Sequence, residues 1–336
     1  MERVESSVLT LSWIPTEALP GLSKLPFDVG FVHYDTPPPD HVDDLEGLHR
    51  DGRFRFANHL RAWVEVTHGR IVGHGHLGGG RMGHTVVGRG RAAMTFQAVS
   101  LPDLQAVTHA SSDAVRFTQT VGGHVALPAP RRVSRPPFVK VEAPLVWTTL
   151  ALTIRADGSS SWELVGASPF PRHWVYDGDR ALVAKSGLLD FSTWYRDAFG
   201  RHTPWGDRDS PALVTEVESA RERSLAATIM QGGARPALRT LAPGATLVEQ
   251  GAPGDELYLL LDGVLAVQVD GEVLAEVGPG ALVGERALLE GGERTATLRA
   301  VTRCKVAVAG AGEIDRDALA EVSLGHHRED ERREAR

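Results

Sequence analysis

From about residue 53 to 177, apolar and polar positions change places every residue or two, in short runs. LRAWVEV, HTVVGRG, AMTFQAV, VRFTQTV, LVWTTLALTI and SWELVGA are rich in Val, Thr, Phe and Trp, with Gly, Pro and Ser clusters between them. Runs of this kind are strands, and together they predict an antiparallel sheet or barrel whose strand order is open. Residues 1–50 show no such period and read as irregular. YDTPPPD (34–40) is excluded from helix and central strand, because proline fixes φ and has no N–H.

Near residue 190 the period lengthens. DFSTWYRDAFG (190–200) reads as a short helix closed by Gly200, and DSPALVTEVESARERSLAATIM (209–230) as a longer one. Ser210 can cap it, and Pro211 suits its first turn. Leu213, Val217, Ala220, Leu225 and Ile229 form its apolar stripe, and Glu218 and Glu222 interleave with Arg221 and Arg223 on the expected wet side. At about 1.5 Å per residue this helix would run roughly 30 Å. QGGARP (231–236) ends it.

Beyond it, strand-like runs return: ATLVEQ, ELYLLLDG, VLAVQV, EVLAEV and TATLRAVTRCKVAVA, punctuated by glycine turns. Their even spacing predicts a jelly roll or small barrel. IDRDALAEVSLG (314–325) reads as one more helix, and HHREDERREAR (326–336) as a solvated tail with four Arg against four acids. The expected class is mainly β with α. An N-terminal antiparallel β-rich domain (1–209) leads through a helical linker and hinge (210–235) to a C-terminal β jelly roll (236–325) and a charged tail (326–336).

Composition narrows the function. The chain has 336 residues, 36 Lys and Arg, 43 Asp and Glu, and a net charge of −7, so it lacks the basic footprint of a nucleic-acid partner. Cys304 is the single cysteine, which rules out an internal disulfide and fits a reducing compartment. MERVESSVLTLSW has no basic segment followed by an apolar run, so no secretory signal is read there. The longest apolar stretches are too short for a bilayer. The expectation is a soluble, cytoplasmic protein without a membrane partner.

One stretch carries chemistry: VGERALLEGGERTATLRA, residues 283–300. GERALLE can start a short helix at Gly284, whose first N–H groups favour an anion. Arg294 offers a planar fork of donors for phosphate oxygens, and Thr295 adds a hydroxyl beside it. Glu285 has acceptors only, so it suits a ligand's hydroxyl groups. A ligand with one phosphate and an adjacent sugar diol matches this set. The strands VLAVQV and EVLAEV can wall a flat base. As alternatives, Arg294 would form a surface ion pair with Glu290 or Glu293, Glu285 would be a first-turn helix acid, and Thr295 a plain strand residue.

Residues 236–310 resemble the cyclic nucleotide-binding domain family, over a little under a quarter of the chain. The resemblance rests on LAPGATLVEQGAPGDELYLLLDGVLAV and on a cassette of the form Gly-Glu-x-Ala-Leu followed by Arg-Thr-Ala-Thr. It implies that Glu285 accepts from the ribose 2′-OH and that Arg294 pairs with the cyclic phosphate. The backbone of Gly284, Glu285, Arg286 and Ala287, with the Thr295 hydroxyl, would complete the phosphate cradle, and Val267 and Leu274 would line base and sugar. Leu319, Val322 and His326 are candidates to cap the base. In eukaryotic members a Thr at the Thr295 place goes with cGMP, and in bacterial members it is compatible with cAMP. The Gly-, Ala- and Arg-rich composition looks bacterial, which favours cAMP. The ligand would be regulatory, and no metal is expected.

The rest of the chain lacks the outputs this family often carries. About eleven residues follow the helix at 314–325, too few for a recognition motif, and no kinase signature is present. Gly73, Gly75 and Gly78 make a formal G-x-G-x-x-G, but too many glycines follow for a helix to open there, so a loop or edge hairpin is expected. Ten of the fourteen histidines precede residue 125. His74 and His76 share one face of a strand, with His68 and His84 near in sequence, yet no Glu follows soon enough for a metal site of the H-x-H type. APRRVSRPP (129–137) reads as a solvated basic loop. No catalytic constellation is complete. The expectation is therefore a cyclic-nucleotide receptor acting on an N-terminal effector or interaction domain, with that domain as the place for a protein partner. The alternative is a cyclic-nucleotide-regulated enzyme with its chemistry in that domain, which bound metal at His74 and His76 would favour.

Overall fold

A computed structural model describes residues 1–18, 32–88, 93–126, 129–132, 136, 139–186, 203–206, 214–215, 220–231, 236–290, 292–310, 317, 319–320 and 322–323. The helix expected at 190–200 and the tail at 326–336 lie outside these residues; within the stretch read as a basic loop, Ala129–Arg132 is instead a strand paired antiparallel with Val139–Glu142. The chain divides into two compact units. One comprises 1–15, 21–186 and 190–214, and the other 16–20, 187–189 and 215–336.

Among the described residues the first unit carries two large antiparallel sheets and two two-stranded ones, His84–Val87 with Met94–Gln97 and Ala129–Arg132 with Val139–Glu142. One large sheet runs Leu182–Ser186, Arg172–Tyr176, Glu2–Trp13, Phe56–Thr67 and Arg70–His76, with Gly79–Met82 also paired to Phe56–Thr67. The other runs Ser160–Ala167, Leu145–Arg155, Ala114–His124 and Val99–Ser100, with Leu104–Ala110 also paired to Ala114–His124. Val8, Leu60, Val64, Val115, Phe117, Leu150, Leu152 and Ile154 from both sheets form one buried core, as expected for alternating strands packed face to face.

Residues 1–50 depart from expectation. Glu2–Trp13 is a twelve-residue strand pairing on both sides, and Leu45–Arg50 is a helix capped by Asp44, whose side chain accepts from Gly47 N. The strand escaped its pattern because Val8 to Trp13 are all buried, polar residues included. Thr10 Oγ1 lies 2.9 Å from Thr148 Oγ1, and Ser12 Oγ 2.7 Å from His173 Nδ1. These bonds satisfy polar groups that burial would otherwise penalise. The segment 33–39 is free of helix and strand, as its prolines require. Its Asp35 makes a buried two-bond pair with Arg55, at 2.9 and 2.5 Å.

In the glycine-rich stretch, Arg70–His76 and Gly79–Met82 both pair with Phe56–Thr67, so it is sheet and not a nucleotide loop. His74 and His76 do share a face, but they spend it on Phe117, with ring centroids 6.0 and 5.1 Å away. Among the described residues no group of three or more metal-ligating side chains assembles.

The second unit is a roll of two four-stranded sheets. One orders Ala237–Leu241, Cys304–Gly310, Glu256–Asp262 and Leu282–Val283; the other orders Thr246–Val248, Thr297–Ala300, Leu265–Val269 and Glu272–Val277. The predicted jelly roll is present. Glu256–Asp262 buries both faces. Leu257, Leu259 and Leu261 meet Leu225, Ala226, Met230, Leu319 and Val322, while Tyr258 and Leu260 meet Leu265, Val283, Leu298 and Val306. Each such leucine contributes about 1.5–3 kcal/mol by leaving water.

The linker helix is shorter than its pattern suggested. It spans Ala220–Gln231, and Val214–Thr215 is strand instead. Leu225 lies in the core as expected, but Glu222 does not face water. It is 4 % exposed, and its Oε1 accepts from Leu282 N at 3.2 Å. The short 3-10 turn Thr16–Ala18, which directly follows the first strand of the other unit, packs on this helix. Among the described residues no helix is long and apolar enough to cross a membrane.

Candidate functional site

Strand Leu282–Val283 stops at Gly284, and helix Glu285–Glu290 begins directly after it. Gly284 makes the corner with φ of 95°, a left-handed conformation that glycine adopts without steric cost. A Cβ there would also stand 2.6 Å from Arg294 Nη1. Glu285 is 6 % and Ala287 2 % exposed, while Arg286 is half-buried.

Arg294 is 5 % exposed, so it is no surface residue. Its Nη1 donates to Glu256 O at 2.9 Å and to Gly284 O at 3.2 Å. The second bond brings Arg294 to the residue before Glu285, so the carboxylate and the guanidinium named from the sequence share one corner. Arg294 Nε is buried and has no hydrogen-bond partner among the described residues. A buried cation with an unused donor is costly unless something occupies that donor.

The surroundings of Arg294 were not foreseen. Its Cζ stands 5.3 Å from the ring centroid of Tyr258, and Arg239 Cζ stands 5.7 Å from the same centroid. Tyr258 OH donates to Glu256 Oε2 at 2.7 Å, and Arg239 Nη2 donates to both oxygens of that carboxylate, at 2.8 and 3.0 Å. The Tyr258 hydrogen bond, aided by Arg239, holds the Glu256 carboxyl below the usual range. Burial first, and then the same bond, push the Tyr258 phenol up. At Gly254 a Cβ would collide with Arg294 Nε, Cζ and Nη2. The one available signal was the spacing in GDELY, since residues two apart on a strand share a face and so put Glu256 and Tyr258 together.

The remaining candidates are spread more widely. Thr295 is exposed beside Arg294. Val267 is half-buried against the inner core of the roll, and Leu274 is 52 % exposed on the edge strand Glu272–Val277. Leu319 and Val322 are each 2 % exposed and sit in the core with Leu225 and Leu257. His326 lies outside the described residues.

Comparison with known proteins concerns the C-terminal unit. Residues 238–320 match the family model of the cyclic nucleotide-binding domain, and no family match covers the N-terminal region. A cyclic nucleotide-gated potassium channel of Mesorhizobium japonicum is 41 % identical over 64 residues, which is 19 % of this chain and 18 % of the channel. A cGMP-dependent protein kinase of Plasmodium berghei is 42 % identical over 69 residues, 20 % of this chain and 8 % of the kinase. This chain thus spans less than a fifth of the length of either curated relative. Among solved structures, a cyclic nucleotide-binding domain from Methylobacillus flagellatus is 20 % identical, with a TM-score of 0.29, over 35 % of this chain and 75 % of that one.

Proposed function

We propose that the protein is a cytoplasmic receptor for a cyclic purine nucleotide, cAMP in preference to cGMP, whose C-terminal roll regulates the N-terminal unit. The observation that carries this reading is Arg294. It is buried at a glycine corner next to Glu285, with Nη1 on two carbonyls and Nε without a protein hydrogen-bond partner among the described residues. A cyclic phosphate is a compact monoanion that meets such a fork with two oxygens. Glu285, at the start of the following helix, then takes the ribose 2′-OH. The Gly284–Ala287 backbone and the Thr295 hydroxyl complete the cradle, with Val267 and Leu274 toward sugar and base.

Regulation requires the ligand to favour one of two states, and it shifts their balance only by its differential affinity. The path supported best runs through Glu222. Its carboxylate holds Leu282 N, three residues before Glu285, and its helix packs on Thr16–Ala18. That turn continues covalently from strand Glu2–Trp13 of the first unit. The buried, unoxidised Cys304 is compatible with a reducing cytoplasm. Calorimetric titration of the full chain with cAMP and with cGMP tests the reading. Binding of cAMP with the lower Kd is expected, and no heat with either nucleotide would overturn the assignment.

A further inference from the structure

We propose that Gly254 and Tyr258 are positioning residues for the bound phosphate: Tyr258 fixes the plane of the Arg294 guanidinium, and the missing side chain of Gly254 keeps its phosphate-facing edge open. This rests on the receptor reading above. A guanidinium meets phosphate bidentately only if two neighbouring N–H groups lie on one accessible edge. In Arg294, Nη1 is committed to the carbonyls of Glu256 and Gly284. The edge that remains is formed by Nε and Nη2, and Nε has no hydrogen-bond partner among the described residues. Those two nitrogens and Cζ are the atoms a Cβ on residue 254 would strike. A single methyl group there would push the guanidinium out of the position in which that edge meets a phosphate.

The ring of Tyr258 controls the other degree of freedom. Two hydrogen bonds from one nitrogen leave the guanidinium able to tilt, and the ring, 5.3 Å from Cζ, opposes that tilt through its face. The ring is itself fixed. It is 2 % exposed, and its hydroxyl is bonded to Glu256, which Arg239 holds through both carboxylate oxygens. Arg239, on strand Ala237–Leu241, therefore reaches the phosphate anchor through Glu256 and through Tyr258.

The test is calorimetric titration of cAMP into full-length wild type, Gly254→Ala, Arg294→Lys, the Gly254→Ala/Arg294→Lys pair, Tyr258→Phe and Tyr258→Leu, each with a thermal melt. Gly254→Ala is expected to weaken binding by about 30-fold or more, as for truncating a buried charge pair, and, because the guanidinium it displaces also holds two carbonyls, to lower the melt by no more than loss of the Arg294 side chain does. In the Arg294→Lys background, where no fork exists to be blocked, the same substitution should cost less than about threefold, a non-additivity typical of groups in contact. Tyr258→Phe keeps the ring and should stay within about threefold of wild type, whereas Tyr258→Leu should lose roughly 3- to 30-fold, the span of a cation–π contact. Wild-type affinity in Gly254→Ala, or an equal loss with and without Arg294, would overturn the inference and leave the receptor intact. Failure of wild type itself to bind would overturn the receptor reading. Should Tyr258→Leu not fold, Gly254→Ala and its cycle still decide.

Discussion

Replacing Arg294 by alanine should damage affinity and stability together, and by separable amounts. From sequence alone the side chain has no visible partner without ligand, so its loss would leave the fold untouched. The structure changes that expectation. Arg294 is 5 % exposed, lies over the Tyr258 ring and donates to the carbonyls of Glu256 and Gly284. Those carbonyls belong to different strands or corners of the roll, so the guanidinium ties Glu256–Asp262 to Gly284. A hydrogen bond to a charged group contributes about 1.5–3 kcal/mol, and a loss of that order in unfolding free energy is expected for the ligand-free variant. Ligand binding loses more. Truncating one partner of a buried, hydrogen-bonded charge pair costs about 2–5 kcal/mol, or on the order of 30- to several-thousand-fold in Kd. Arg294→Lys keeps the charge without the fork and should fall between wild type and alanine. Calorimetric titration of cAMP and cGMP gives the first quantity, and denaturant unfolding without ligand gives the second. A stability loss with unchanged affinity for both nucleotides would refute the phosphate role and leave Arg294 a structural tie. An affinity loss with unchanged stability would refute the two-carbonyl account.

Three further outcomes follow from other residues. Glu285→Ala should weaken cAMP by about 1.5–3 kcal/mol, and 2′-deoxy-cAMP should lose most of that sensitivity; equal losses for both ligands in a titration series would remove the 2′-OH contact. Cyclic nucleotide should change amide exchange in 220–231 as well as in 283–300, and Glu222→Ala, which cuts the bond to Leu282 N, should confine the change to the second region; a response unaltered by that variant would exclude this path. Burial holds His173 down at about 4, against 6.5 when exposed. The unfolded chain therefore binds a proton that the folded chain refuses, and stability falls as pH drops from 6.5 to about 4. The gap of about 2.5, at 1.36 kcal/mol per pK unit, amounts to about 3 kcal/mol. Urea midpoints between pH 7 and 4.5 should show this decline; burial also holds His59 down at about 4, so His173→Gln should reduce the decline and leave the part due to His59.

The roll was legible because its strands alternate and its turns need glycine. The Gly-Glu corner and the Arg nine residues on were legible as a motif, but the bond from Arg294 to Gly284, which joins its two halves, was not read from the sequence. Pattern failed where burial is two-sided. Thr10 and Ser12 look like surface residues in VLTLSW, yet both are fully buried, Thr10 bonded to Thr148 of the facing sheet and Ser12 to His173 of the neighbouring strand. Glu222 misled for the same reason, since a carboxylate on a helix reads as wet until a backbone N–H is found facing it. Gly254 and Tyr258 were beyond reach for another cause. Their importance lies in contacts with a residue some forty positions away (254 to 294), and no local period records such a distance.

The turn Thr16–Ala18 has a consequence for how the chain is made and inherited. Residues 16–20 belong to the roll, whereas 1–15 and 21–186 belong to the other unit. On the ribosome, this first scrap of the roll emerges long before Thr215 and everything after it, so synthesis in order cannot finish the ligand-binding unit by local folding. Its early residues wait, beside a completing neighbour, for a helix not yet translated. Recombination meets the same interleaving. A gene fragment starting at residue 231 would carry Leu257, Leu259 and Leu261 without the Leu225, Ala226 and Met230 that cover them, and one starting at 215 would still leave Thr16–Pro20 behind. A fragment that keeps the roll's contacts therefore needs both Thr16–Pro20 and everything from Thr215 on.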